Sequence, residues 1–181
     1  TLVGVANYAG CAARSEFAGF AAYGYRAAES QYCWGVRLVP LTDWQGLPTG
    51  YTLTPANERE YEPVRMLAAG DGSPPLVADK GLWGAAYAET LALEGVTLRT
   101  PDRVRTAANL ASERLLASFR LVIESTFANL KCQMRLEQHL AKTPAGLVVR
   151  IASRLLALTL GMFLNALLGR PPRSLVAYDG R

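Results

Sequence analysis

The chain has 181 residues, half of them hydrophobic, with 19 basic and 15 acidic groups and a formal net charge of +4. That is one domain's length with ordinary globular composition, which excludes wholesale disorder. Three widely spaced cysteines, Cys11, Cys33 and Cys132, and one histidine, His139, exclude a Cys/His zinc finger, a disulfide framework and a catalytic site built on two histidines.

The N-terminal run TLVGVANYAG has no Met, no basic leader and no charge before Arg14. It lacks the pattern of a signal peptide and reads as a chain that starts within a larger frame. The first strand signal is the aromatic and β-branched run from Tyr32 to Leu41. Asp43-Trp-Gln-Gly46 supplies turn chemistry, and Leu47 to Thr54 reads as the partner strand of a β-hairpin that Pro55-Ala-Asn57 closes. Glu60 to Ala69 has helical spacing (Tyr61, Val64, Met66, Leu67) and stops at Gly70. After the loop Asp71-Gly-Ser-Pro-Pro75, the apolar run Leu76-Val-Ala78 reads as a short buried strand ending in Asp79-Lys80-Gly81. Tyr87 to Leu93 is a helix closed by Gly95, and Val96 to Arg99 is a strand stopped by Thr100-Pro101. From Ala107 to Leu168 the pattern is two long helices divided near Lys142-Thr-Pro144.

The order is therefore an α/β or α+β sheet domain with helices packed on it, and the 181 residues read as one domain with a helical C-terminal part at 107–170. The apolar stretch Leu155–Leu168 is short for a membrane span and follows Arg150 and Arg154, so it reads as a core helix or a dimer contact, with no membrane partner.

Charge is unevenly placed. Residues 1–98 carry 6 basic and 10 acidic groups, whereas residues 99–181 carry 13 basic and 5 acidic. Of the 19 cations 16 are Arg, a bias that suits bidentate phosphate contacts and also follows from GC-rich codon usage. The basic half suits a polyanion and equally a solvated surface.

Two carboxylates stand out. Asp79 follows a strand, where ligands bind in open α/β sheets, and its oxygens suit a hard cation; it equally suits a cap on the next turn. On the helix Leu110–Met134, at about 100° per residue, Leu116, Phe119, Ile123, Phe127, Leu130 and Met134 form one apolar stripe. Arg120, Glu124 and Lys131 form a strip along its border, within roughly 40° of one another. Glu124 there can lean toward another strand's carboxylate, or simply pair with Arg120 at i, i+4. Trp83 suits base stacking or packing, Arg103 and Arg105 lie in a loop that suits phosphate contact, and His139 reads as a surface or helix residue without a catalytic role.

The run Leu76-Val-Ala-Asp-Lys-Gly-Leu-Trp-Gly84, then Val96-Thr-Leu-Arg-Thr-Pro101, then Arg120-x3-Glu124-x6-Lys131, resembles the DDE transposases of bacterial insertion sequences. Family members place Tyr-x2-Arg-x3-Glu-x6-Lys around the third acid; here Ala117 stands at the Tyr position. The hairpin Tyr32–Asn57 also looks like the stretch between the family's first and second aspartates.

The resemblance implies a ribonuclease H-like mixed sheet flanked by helices, with three acids holding Mg²⁺ or Mn²⁺ for phosphodiester hydrolysis and strand transfer at transposon ends. Asp79 and Glu124 would be the second and third acids and metal ligands, with Arg120, Lys131, Lys80, Arg103 and Arg105 on the DNA. It further implies transposon-end and target DNA as partners, a homodimer, and a cytoplasmic, nucleoid-associated bacterial setting. The first aspartate has no counterpart. Upstream of Gln31 the only acids are Glu16 and Glu29, so the expectation is an N-terminally truncated copy whose first strand is missing and which is inactive alone. The alternative is a non-catalytic DNA-binding or interaction module using the basic half.

Overall fold

A computed structural model describes residues 1–6, 12, 14–26, 30–69, 74–82, 84–102, 106 and 109–178. The chain divides into two units, 1–58 with 125–181 and 59–124.

The first unit is built on a twelve-residue strand. Among the described residues, β1 (Leu2–Ala6), β2 (Ala22–Arg26), β3 (Gln31–Thr42) and β4 (Pro48–Pro55) form a four-stranded antiparallel sheet in which all three other strands pair with β3. Val3 opposes Val36 on one edge, while Tyr25 opposes Tyr32 and Leu53 opposes Leu38 on the other, so β2 and β4 take successive halves of that edge. The hairpin lies where the sequence predicts it. Its turn is held by the Asp43 carboxylate, whose Oδ1 accepts from the Gln45 and Leu47 backbone N–H groups at 2.9 Å each, and Gly46 supplies the positive φ of 89°.

The two strands before Gln31 are additions to the sequence reading, which has no strand upstream of Tyr32. β1 carries no acid. Its approach to β3 depends on a glycine: a Cβ at Gly35 would lie 2.1 Å from the Val3 carbonyl oxygen, so no larger residue fits there unless the strand moves away.

Alternate residues Trp34, Val36 and Leu38 of β3 bury one face of this sheet. They share a core with Val3, Phe17, Leu130, Leu136 and the long C-terminal helix. That helix runs Pro144–Leu167. It begins at the predicted break: the Thr143 hydroxyl accepts from the Gly146 N–H at 3.1 Å, and Pro144 sits in the first turn where no intrahelical N–H is required. It buries Leu147, Ile151, Leu155, Leu158, Met162 and Asn165 on one face. Asn165 is buried because it is satisfied: its amide donates to the carbonyls of Pro172 (3.1 Å) and Ser174 (2.8 Å), and its oxygen accepts from the Tyr178 hydroxyl, tying the C-terminal tail to the helix.

His139 corrects the sequence reading. It is buried in a non-helical segment, donates from Nε2 to the Gly4 carbonyl at 2.9 Å, and accepts the Ala141 N–H at Nδ1. Its role there is to fasten β1 to the chain that leads into the C-terminal helix.

The second unit holds α1 (Tyr61–Ala68), β5 (Leu76–Val77), a 3-10 turn (Lys80–Leu82), α2 (Ala85–Leu93), β6 (Leu98–Arg99) and most of α3 (Leu110–Ala128); the C-terminal helix described above is α4. β5 and β6 are parallel, Leu76 opposite Leu98 and Val77 opposite Arg99, as the helix between them requires. Ala68, Leu91 and Val96 form this unit's core, with Leu76, Tyr87 and Leu98 packed on it. β5, predicted buried, is half-buried; among the described residues β6 alone pairs with it. Gly95 closes α2 at φ +79°, as predicted. The architecture is thus α/β, sheets flanked by helices, as the sequence implies.

Candidate metal and phosphate site

Asp79 stands two residues beyond β5, at its carboxyl end. The Ala78 N–H still bonds the Arg99 carbonyl of β6 (3.0 Å), and the Leu82 N–H returns to the Asp79 carbonyl (3.0 Å). The carboxylate therefore leaves the ladder at its last rung, on a 3-10 turn, and is exposed.

Two tyrosines brace this turn. The Tyr61 hydroxyl reaches the Gly81 carbonyl at 3.4 Å, the Tyr87 hydroxyl donates to the Tyr61 carbonyl at 2.7 Å, and the two rings meet edge to face with centroids 4.6 Å apart. Burial, and after it the negative charge of Glu62, pushes the Tyr87 phenol up to about 12. The neutral phenol is the form the fold prefers, so its contribution to stability is complete below about pH 10, where the unfolded side chain ionises, and is lost as pH rises toward about 12. The stability advantage of the wild type over Tyr87→Phe shrinks across this window in melts at increasing pH. An advantage that stays constant across it refutes the assignment.

Glu124 lies on α3 with Arg120 one turn before it. The Arg120 Nε donates to Glu124 Oε1 at 2.9 Å, the expected i, i+4 pair. The same guanidinium also reaches Asp79 Oδ1 at 3.7 Å. Asp79 and Glu124 are thus brought together through one cation. A planar guanidinium spans only about 2.3 Å between neighbouring nitrogens, so the two carboxylate oxygens are under about 9 Å apart. All three side chains are more than half exposed. The Glu124 hydrogen bond first, and then the Asp79 charge, hold the Arg120 guanidinium above its ordinary range.

The predicted stripe on α3 is directionally right. Leu116, Phe119, Ile123 and Phe127 are half-buried, and Leu130 is fully buried beyond the helix end. Lys131 lies beyond α3, in the π turn Asn129–Gln133, where the Met134 N–H bonds the Asn129 carbonyl and the advance per residue is smaller than the roughly 100° of an α-helix. The Lys131 ammonium is paired with Glu137 at 3.2 Å.

Sequence reasoning passed over Glu113, which is buried at the start of α3 and accepts the Asp102 N–H at 2.7 Å. It fixes Asp102, whose carboxylate also accepts from the Asn109 amide. Arg103, Arg105, Trp83 and the side chain of Lys80 lie outside the described residues.

Exposed carboxylates are suitable donors for Mg²⁺ or Mn²⁺, which favour hard oxygen ligands and keep several waters. In number they fall short: among the described residues no group of three His, Cys, Asp or Glu side chains could hold a metal ion.

Comparison with curated proteins and with solved structures finds no match. The family described as Transposase DDE domain matches residues 10–160, which include Asp79, Arg120, Glu124 and Lys131. Transposases of this family act on DNA, and divalent metal is typical of them. The chain belongs to the transposase DDE domain family.

Proposed function

We propose that Asp79 and Glu124 are two of the carboxylates of a DDE transposase centre that hydrolyses and transfers DNA phosphodiesters at transposon ends. The observation that carries this reading is the meeting of both acids at one guanidinium, at the carboxyl end of a parallel strand. Two exposed carboxylates that share a cation already form a place where positive charge is favoured.

In this reading Asp79 and Glu124 hold Mg²⁺ or Mn²⁺ in place of Arg120. When bound, the metal supplies Lewis acidity at the phosphodiester. Arg120, released from the acids, donates to a phosphate oxygen and aligns the strand, a task its planar fork suits. Glu113 holds the Asp102 backbone, and the tyrosine brace holds the turn after Asp79. Lys80, together with Arg103, Arg105 and Lys131 of the basic half, adds phosphate contacts. The setting is the cytoplasm, where chromosomal DNA is accessible.

Among the described residues two acids stand at this site, short of a two-metal centre, and the expectation is that this chain neither cuts nor joins DNA by itself. The test has two parts. Mn²⁺ titration followed by water-proton relaxation gives binding that Asp79→Asn and Glu124→Gln each weaken by about tenfold or more; binding unchanged in both variants refutes the site. Strand transfer on a labelled DNA end with Mg²⁺ or Mn²⁺ gives no product with this chain. Product that Glu124→Ala abolishes shows that a third ligand lies within the chain, with Glu16 the first to replace.

A further inference from the structure

α4 is apolar on two opposite faces. One buries Leu147, Ile151, Leu155, Leu158, Met162 and Asn165 against the sheet. The other presents Val149, Ser153, Leu156, Leu160, Phe163 and Leu167, all exposed. At about 100° per residue the two faces centre roughly 165° apart.

The spacing of the outer face is informative. Its residues recur at alternating intervals of four and three, the seam of a coiled coil, over about 27 Å of helix. Such a seam selects another helix as partner. Ala152, Ala157, Thr159 and Ala166 flank it, small enough for a second helix to approach closely. Ser153, the one polar member, already donates to the Val149 carbonyl at 2.8 Å and needs no water.

The area is that of an interface. Leu156 and Leu167 are each 67% exposed, Phe163 56% and Leu160 54%. With Val149, Leu164 and Leu168, and at roughly 150–200 Å² for a large apolar side chain, the patch exposes on the order of 700 Å². A stable interface buries about 800 Å² per partner. Beside the seam a groove of about 330 Å³ opens between Leu47, Leu156, Leu160, Phe163 and Pro172, an apolar recess next to an apolar ridge.

We infer that α4 is the contact between two copies of this chain, packed seam to seam about a two-fold axis. A two-fold sets the same surface on both sides, so each copy offers its ridge to the other's groove and both faces are covered at once. By length and composition Pro144–Leu167 could also cross a bilayer. A bilayer, however, would surround the whole helix, and here one face is packed on the sheet while Arg154 donates to the Met134 and Arg150 carbonyls on the flank. The interface uses none of the residues at the acid pair.

The test is sedimentation equilibrium of the full 181-residue chain. The expected result is a dimer that Leu160→Glu and Phe163→Glu each weaken by at least about 100-fold, since each places two like charges in a desolvated seam. Both side chains are exposed, so helix content by circular dichroism stays unchanged. In a Cys11→Ser, Cys33→Ser, Cys132→Ser background, Leu160→Cys forms a disulfide dimer under mild oxidation, whereas Ala145→Cys at the helix start does not. A chain that is monomeric at all concentrations overturns the inference, as does a dimer that both Glu variants leave intact. So does a monomer that partitions into phosphatidylcholine vesicles through the same residues.

Discussion

Raising the salt from about 50 to about 200 mM weakens binding of this chain to duplex DNA by about 100-fold. The expectation rests on residues 99–135, where seven cations stand against three acids. All three acids are already engaged: Glu113 accepts the Asp102 N–H, Glu124 is paired with Arg120, and the Asp102 carboxylate accepts from Asn109. Arg99, Arg114 and Arg135 are exposed. Four phosphates neutralised by this segment give a slope of log K on log salt near −3.6, because each neutralised phosphate releases its condensed counterion. Phosphate contacts carry no sequence information, so scrambling the DNA changes the affinity little. Fluorescence anisotropy of a labelled duplex across a salt series measures both. A flat salt dependence, or no binding at low salt, makes the basic half a solvated surface.

Replacing Arg120 by Ala moves two affinities in opposite directions. Mn²⁺ binds up to about tenfold more tightly, because the guanidinium that competes for Asp79 and Glu124 is gone; the gain is capped because exposed ion pairs are individually weak. DNA binds less tightly, and the salt slope falls by about 0.9, the loss of one phosphate contact. Arg120→Lys keeps the charge but cannot bridge two carboxylates in a plane, so it retains most of the DNA affinity while loosening the hold on the acids. Relaxation titration with Mn²⁺ and anisotropy with DNA read the two effects separately. If both affinities fall together while α3 keeps its helix content, Arg120 does not stand between the acids and a cation.

The chemistry of the acid pair was half legible. Arg120 and Glu124 are one helical turn apart, and their pairing follows from that spacing alone. The reach from Arg120 to Asp79 does not, because it needs the strand end and the helix to be placed in space. Lys131 shows the opposite case. Its helical phase is computable only for an unbroken α-helix, and the π turn at Asn129–Gln133 removes that condition.

Elements whose stabilising interactions are local in sequence were determined by sequence. The hairpin turn is written in Asp43 and Gly46, the start of α4 in Thr143-Pro144, and the end of α2 in Gly95, since each supplies its own hydrogen bond or backbone conformation within a few residues. β1 and β2 were decided by tertiary structure. Leu2-Val-Gly-Val-Ala6 and Ala22-Tyr-Gly-Tyr-Arg26 carry glycines and little alternation, and they become strands because β3 offers two free edges and a glycine at the crossing point. The burial of His139 and Asn165 was decided the same way: their partners, the Gly4 carbonyl and the C-terminal tail, come from other parts of the chain. The two faces of α4 divide along this line as well. Periodicity shows that the helix is apolar on both sides, but only packing against β3 settles which side is inside and leaves Leu156, Leu160 and Phe163 outside, because a helix can bury only the face that its own sheet covers.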